Sequence, residues 1–159
     1  SYSIMFKLEL ITTSEDKFEA SNITLRPSDI IEFTGASGQP WQKELSESIS
    51  VSDLLWKGVN EKQEIVSVGG VVILPDAVIP WFAGTDKSKH EKRSWLEEGK
   101  KFVELLRTFE KPVINYVWNK NTKTIKWLER LGFVVEKNKE YEFYHETKFY
   151  KFYLGKRGK

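Results

Sequence analysis

The chain has 159 residues, 40% of them hydrophobic and 14% aromatic, enough for one globular domain that buries roughly 70% of its unfolded surface. It contains no cysteine, which excludes disulfides, a thiolate nucleophile and a cysteine-type metal site. The net charge of +2 hides a polarity, because 6 Lys/Arg face 13 Asp/Glu through Asp86 while 19 face 10 from Lys87 onward. The basic half reads either as a solvated surface or as an attractor of something anionic. The longest apolar runs, such as Ile65–Leu74, fall far short of a membrane span. Ser1–Phe6 has neither the basic start nor the length of a signal peptide, so no membrane association is expected.

Lys7–Thr12 alternates weakly and predicts a first strand, with Leu8 and Leu10 facing one way. Ser14–Ser21 is polar and reads as a turn or hairpin tip, and Ile23–Arg26 as a segment pairing back. Pro27-Ser28-Asp29 reads as a helix start, with Ile30, Ile31 and Phe33 on its buried side and Gly35 and Gly38-Gln39-Pro40 stopping it. Trp41–Ser50 carries Trp41, Leu45 and Ile49 at the spacing of a second short helix. Asp53–Val59 reads as a strand, and Asn60–Gln63 as the polar turn after it.

Ile65–Leu74 is nearly continuously apolar, as in a strand covered on both faces. Gly69-Gly70 in its interior predicts a bulge or the close approach of another backbone. Ala77–Ala83 is the next strand; Pro80 has no N–H to give a neighbour, so the strand is bulged there or lies at an edge. The longest helix runs over roughly Lys92–Phe109, with Trp95, Leu96, Gly99, Phe102, Val103, Leu106 and Phe109 as its buried stripe. A glycine in that stripe costs about 1 kcal/mol against alanine, which implies tight packing on the sheet. Phe133–Glu136 and Thr147–Leu154 read as two closing strands, with Tyr141–Tyr144 extending or capping one arm of that hairpin and Lys156–Lys159 as a frayed basic tail.

The most informative stretch lies between the long helix and that hairpin. Val113–Trp118 is a buried strand by its β-branched and aromatic content. Asn121 or Thr122 caps a short helix with Ile125, Leu128 and Leu131 on one face. Gly132 ends it and Phe133 begins the next strand. This unit resembles the last block of the GNAT superfamily of acyl-CoA N-acyltransferases: a strand, an Asn (Asn121), a small residue three on (Thr124), an apolar helix face and a closing Leu131-Gly132-Phe133. The Asn115-Tyr116-Val117-Trp118 wording is more specifically similar to GNAT-like internal virion proteins of short-tailed phages. A looser match reaches back to about Ile65.

The resemblance implies an α/β fold: a mixed, mostly antiparallel sheet of about six or seven strands in a single domain, with helices on both faces. It implies an acetyl-CoA slot where the Pro80 strand splays from its neighbour, with Phe82, Ala83 and Asn121 beside it and Lys89 and Arg93 at the start of the long helix. Two departures argue against efficient acetyl transfer. A diphosphate cradle of main-chain N–H groups needs glycines, and Thr85–Glu98 has none. Many active members carry a Tyr as general acid seven residues after the Asn, where this chain has Leu128. Tyr116, Tyr141 and Tyr144 are the phenols left to replace it, and no Glu stands on Ala77–Ala83 as a base.

The expected function is therefore that of a phage-type GNAT-fold protein with a degenerate acetyl-CoA site. It would act by binding a virion or host protein, in the host cytoplasm or the particle. The alternative is an active acetyl-CoA-dependent N-acetyltransferase acting on a protein or small amine. A third reading uses the basic half, Tyr141–Lys159 in particular, to hold nucleic acid. His90 and His145 read as surface histidines, with no metal ligand set in sight.

Overall fold

The computed structural model describes residues 5–156. Seven strands and five helices follow in the order β1 (Phe6–Leu10), α1 (Ser14–Ser21), α2 (Pro27–Ser37), α3 (Trp41–Val51), β2 (Leu54–Asn60), β3 (Ile65–Ile73), β4 (Val78–Gly84), α4 (Lys92–Leu106), β5 (Ile114–Trp118), α5 (Thr122–Leu131), β6 (Phe133–Glu142) and β7 (Lys148–Leu154). The strands form two antiparallel sheets, β1-β2-β3-β4 and β5-β7-β6. Between them runs one parallel bridge, Val78 to Val113, and beyond it β4 and β5 part. This is the α/β, mostly antiparallel architecture expected from the sequence, with seven strands. Beyond Lys156, the basic tail lies outside the described residues, as do residues 1–4 of the segment weighed as a leader. Among the described residues no helix is long and apolar enough to cross a membrane.

Helices cover both faces. On one, α1, α2 and α3 pack Ala20, Leu45 and Ile49 against Leu55, Val68, Trp81 and Ala83 of the first sheet. On the other, α4 and α5 pack Phe102, Leu106, Ile125 and Leu128 against Val71, Val78, Val117 and Phe152, so this core spans both sheets. β3 contributes Val68 to one core and Val71 to the other, which is why its sequence shows no polar alternation.

Several elements depart from the sequence reading, each for a local reason. Ser14–Ser21 is a helix, because Thr13 accepts a hydrogen bond from the Asp16 N–H and Glu15 and Asp16 favour its positive end. Ile23–Arg26 forms no strand; Arg26 N–H gives a single bond to the Gly84 carbonyl at 2.8 Å. α2 runs through Gly35 and stops at Gly38, whose φ of 74° lies in the left-handed region. Its buried positions are Asp29 and Gly35, while Ile31 is exposed. Leu10 likewise faces solvent, at 51% exposure.

The bulge in the first sheet falls at Gly58/Val59 rather than at Gly69-Gly70. The other expectation, a close backbone approach, holds at Gly69, where a Cβ would meet the Trp81 carbonyl oxygen at 3.3 Å, while Gly70 accommodates the Trp81 indole, whose Nε1 lies 2.5 Å from where a Cβ would stand. Gly99 does pack tightly, but against α5: a Cβ there would meet Leu131 Cδ1 at 2.9 Å.

The buried side of α4 also includes Ser94 and Glu98, two polar residues outside the apolar stripe. Ser94 Oγ accepts from Phe6 N–H at 3.0 Å and Glu98 Oε1 from Leu8 N–H at 2.7 Å. The outer edge of β1 is thus closed by side chains, which keeps it from recruiting a strand of another chain.

Candidate functional site

The divergence of β4 and β5 opens a cleft of about 470 Å³ floored by α2, α5 and β7. Alternate residues of a strand direct their N–H and C=O to opposite sides. In β4, Trp81 and Ala83 face β3, so Val78, Pro80, Phe82 and Gly84 face the opening. Three of these four are already committed. Val78 N–H donates to Pro112 O at 2.8 Å. Pro80 has no N–H, and its carbonyl accepts from Asn115 Nδ2 at 2.7 Å. Gly84 N–H donates to Asp29 Oδ2 at 2.8 Å, and its carbonyl takes the Arg26 N–H. Phe82 keeps its backbone groups toward the cleft, with no partner among the described residues. Pro80 therefore marks an edge, the second of the two readings open for it.

α2 supplies the acidic wall. Asp29, Glu32, Phe33 and Ala36 follow one face at helical spacing and all border the cleft. Arg26 Nε pairs with Asp29 Oδ2 at 2.7 Å and its guanidinium lies 4.9 Å from the Trp95 ring centroid. Burial raises the Asp29 carboxyl above its ordinary value, against the opposing pull of Arg26 and the Gly84 N–H. Glu32 is bonded to Asn121 Nδ2. Loss of solvent, followed by the nearby Asp29 charge, pushes Glu32 up to about 8, while Asn121, the Trp118 N–H and Arg26 act the other way.

A second cleft of about 310 Å³ adjoins the first, between the start of α4 and the outer face of α5. Lys89, Lys92, Lys123, Lys126 and Arg130 surround it, and Arg26, Trp95, Thr124 and Trp127 border both clefts. Trp127 Nε1 donates to Trp95 O at 2.9 Å, and the two indoles meet edge to face at 5.4 Å.

The residues expected at a site are distributed unevenly over this arrangement. Phe82 borders the first cleft and Lys89 the second. Asn121 caps α5, its Oδ1 accepting from Thr124 N–H at 3.4 Å, and it reaches the first cleft through Glu32. Ala83 has no exposed surface and packs in the opposite core. Arg93 has an 80% exposed side chain, pairs with Glu97 and lines neither cleft. Tyr116 lines the first cleft against Tyr141 and Phe143, whereas Tyr144 is exposed. Leu128 is buried at the wall of the same cleft, and Tyr116 is the one phenol of the three that lines it among the described residues. Glu32 was missed because it stands between Ile31, which is exposed, and Phe33, which packs on the core, and its partner Asn121 lies 89 positions away. The signal that could have found it is the Asp29/Glu32/Phe33/Ala36 spacing.

Solved structures with this fold are numerous. A spermidine N-acetyltransferase of Vibrio cholerae, crystallised with CoA and spermine, matches with a TM-score of 0.64 at 12% identity, covering 94% of this chain and 95% of that one. The ribosomal-protein-S18-alanine N-acetyltransferase of Escherichia coli matches with a TM-score of 0.61 at 14% identity, covering 94% and 93%. A GNAT-family acetyltransferase of Bacillus anthracis matches at 0.61 and 9%, covering 94% and 98%. No protein-family model matches the chain, and neither does any curated protein sequence. The chain has the GNAT acetyltransferase fold.

That fold implies acetyl-CoA, and the residues fit it only in part. The cations of the second cleft suit its phosphates. Its amide-bearing arm would need backbone donors and acceptors on the open side of β4, where Pro112 holds Val78 N–H, Asn115 holds Pro80 O, Asp29 and Arg26 hold Gly84, and Phe82 keeps its own groups free among the described residues.

Proposed function

We propose that the protein is a phage-type GNAT-fold protein with a degenerate acetyl-CoA site, acting by binding as a virion or host-takeover component. The observation that carries the degenerate site is the largely occupied outer edge of β4: Val78, Pro80 and Gly84 are bonded to Pro112, Asn115, Asp29 and Arg26, and Phe82 alone keeps both backbone groups free among the described residues. A ligand entering there displaces bonds already made, and a buried group left unpaired costs about 1–3 kcal/mol. The absence of a phenol at Leu128 and of glycine through Thr85–Glu98 points the same way. The phage assignment is supported by the Asn115–Trp118 wording, and a protein partner in the particle or host follows from it. Calorimetric titration with acetyl-CoA tests the core of the reading. No saturable heat is expected, and micromolar binding would overturn it. Mass spectrometry of purified particles tests the virion placement.

One observation favours the alternative, an active N-acetyltransferase. Glu32 brings a carboxyl with a pKa near working pH to the cleft, as a general base requires. If Glu32 is that base, Glu32→Gln lowers acetylation of an amine acceptor by ~10²–10⁴-fold. If the protein acts by binding, no acetylation is there to lower.

A further inference from the structure

We infer that the basic cleft between α4 and α5 binds single-stranded nucleic acid. The inference rests on the degenerate-site reading, because a cleft with phosphate-seeking charge and no fitting coenzyme arm has another anionic partner.

Five cations line the cleft, Lys89 from the turn before α4, Lys92 from α4 and Lys123, Lys126 and Arg130 from α5, and none has an ion-pair partner among the described residues. Acidic residues on the same helices are bonded elsewhere, Glu97 to Arg93, Glu98 to Lys101 and Glu129 to Lys137. On α5, Lys123 and Lys126 stand three apart and Lys126 and Arg130 four apart, so like charges share one helix face, an arrangement that destabilises a helix. A merely solvated surface is ordinarily relieved by interspersed carboxylates. This one concentrates positive potential in a concavity, where low-dielectric walls focus it.

The floor of the cleft separates nucleic acid from a bare anion. Half-buried Trp95, Leu96 and Trp127 line the cleft beside the cations and give it apolar, aromatic surface. Inorganic phosphate has no use for that surface. An unstacked nucleobase does, since base–aromatic contact is largely indifferent to sequence and works beside a phosphate-tracking groove. A concave floor reached between two helices also favours a flexible single strand over the convex, paired cylinder of a duplex. The recognition site thereby moves from the Tyr141–Lys159 hairpin to the α4–α5 cleft. The hairpin's own Lys148 is bonded to Glu142 and its Phe149 is a core residue, which leaves Phe143, Tyr144 and Tyr153 as its exposed rings, set in no comparable cleft of cations among the described residues.

The test is fluorescence titration of the intact protein with a labelled mixed-sequence single-stranded oligonucleotide across a salt series, with tryptophan emission read in parallel. Neutralising five phosphates of a single strand gives a log–log salt slope of about −3.5. In the double variant Lys123→Ala/Lys126→Ala the slope falls to about −2, by the same ~0.7 per phosphate contact. Both positions are exposed on a helix, so circular dichroism should show the variant folded. Indole quenching on binding supports the inference. An unchanged slope in the double variant overturns it, as does equal affinity for a duplex of the same length. Micromolar acetyl-CoA binding with no oligonucleotide binding overturns both this inference and the degenerate-site reading. Oligonucleotide binding that micromolar acetyl-CoA displaces sinks only the latter.

Discussion

A carboxyl that folding keeps protonated gives the native state a proton that the unfolded chain has already released, and Glu32 is such a group. Its folded value of about 8 lies above the ordinary 4.5, so the unfolded chain binds fewer protons between those limits and stability falls as pH rises. The contribution is whole below about pH 4.5 and gone above about 8. Glu32→Gln keeps an oxygen for Asn121 Nδ2 and removes the titration. Thermal melts of this variant should show most of the wild-type decline between pH 5 and 8 abolished, and at pH 8 it should melt above the wild type. Asp29, raised in the same direction, leaves a residual slope. An equal decline in both proteins would place the proton elsewhere. None of this could be read from the sequence: Ile30 and Phe33 pack on the core as expected, but nothing local to α2 shows that Glu32 meets Asn121, 89 positions away. Asn121, by contrast, could be narrowed from its neighbours to one of two cap candidates, with Thr122 the other, and the structure makes Asn121 the cap.

Elements show the same division between what local chemistry specifies and what assembly adds. α3, α4, α5, β3 and β5 follow from apolar spacing, caps and breakers, and their limits fall within a few residues of those expected. α1 did not, because it buries only Ala20 and leaves Phe18 70% exposed, so it has almost no apolar stripe to detect. The acceptors that α4 lends to β1 and the α2 carboxylate that takes the Gly84 N–H were equally hidden, since each joins groups far apart in the chain. The Arg26–Asp29–Gly84 link fixes the entry of α2 to the end of β4. Asp29→Ala leaves Arg26 without its charge partner and the Gly84 N–H unbonded. Breaking a buried pair from one side costs about 3–5 kcal/mol, and that is the loss urea denaturation should report. A loss below ~1 kcal/mol would mean that the pair is solvated and the link weak. At the edge of β1, Glu98→Ala strands the Leu8 N–H and should cost about 1–3 kcal/mol, with Glu98→Gln recovering much of it because an acceptor oxygen remains.

Across the whole molecule, two sheets are held together by one core, one parallel bridge and the Asn115 side chain. Asn115 Nδ2 reaches Pro80 O across the opening, while its Oδ1 accepts from Tyr116 N–H at 2.8 Å. This single amide therefore satisfies a carbonyl on one sheet and an N–H on the other. Asn115→Leu preserves approximate size and removes both bonds. Leaving those part-buried groups unpaired should destabilise the protein by about 1–3 kcal/mol. Hydrogen exchange should quicken at Tyr116 and along the β4–β5 junction, with β1–β3 unaffected. The same variant examines why the slot is closed. It frees the Pro80 carbonyl but not Gly84, which α2 still holds through Asp29 and Arg26, and it restores no N–H at Pro80. Acetyl-CoA should therefore remain unbound in the Asn115→Leu protein. If the variant instead takes up the coenzyme, one side chain alone was shutting an otherwise competent site. The closure would then lie at the junction of the sheets rather than in the bonds that Asp29 and Arg26 make to Gly84.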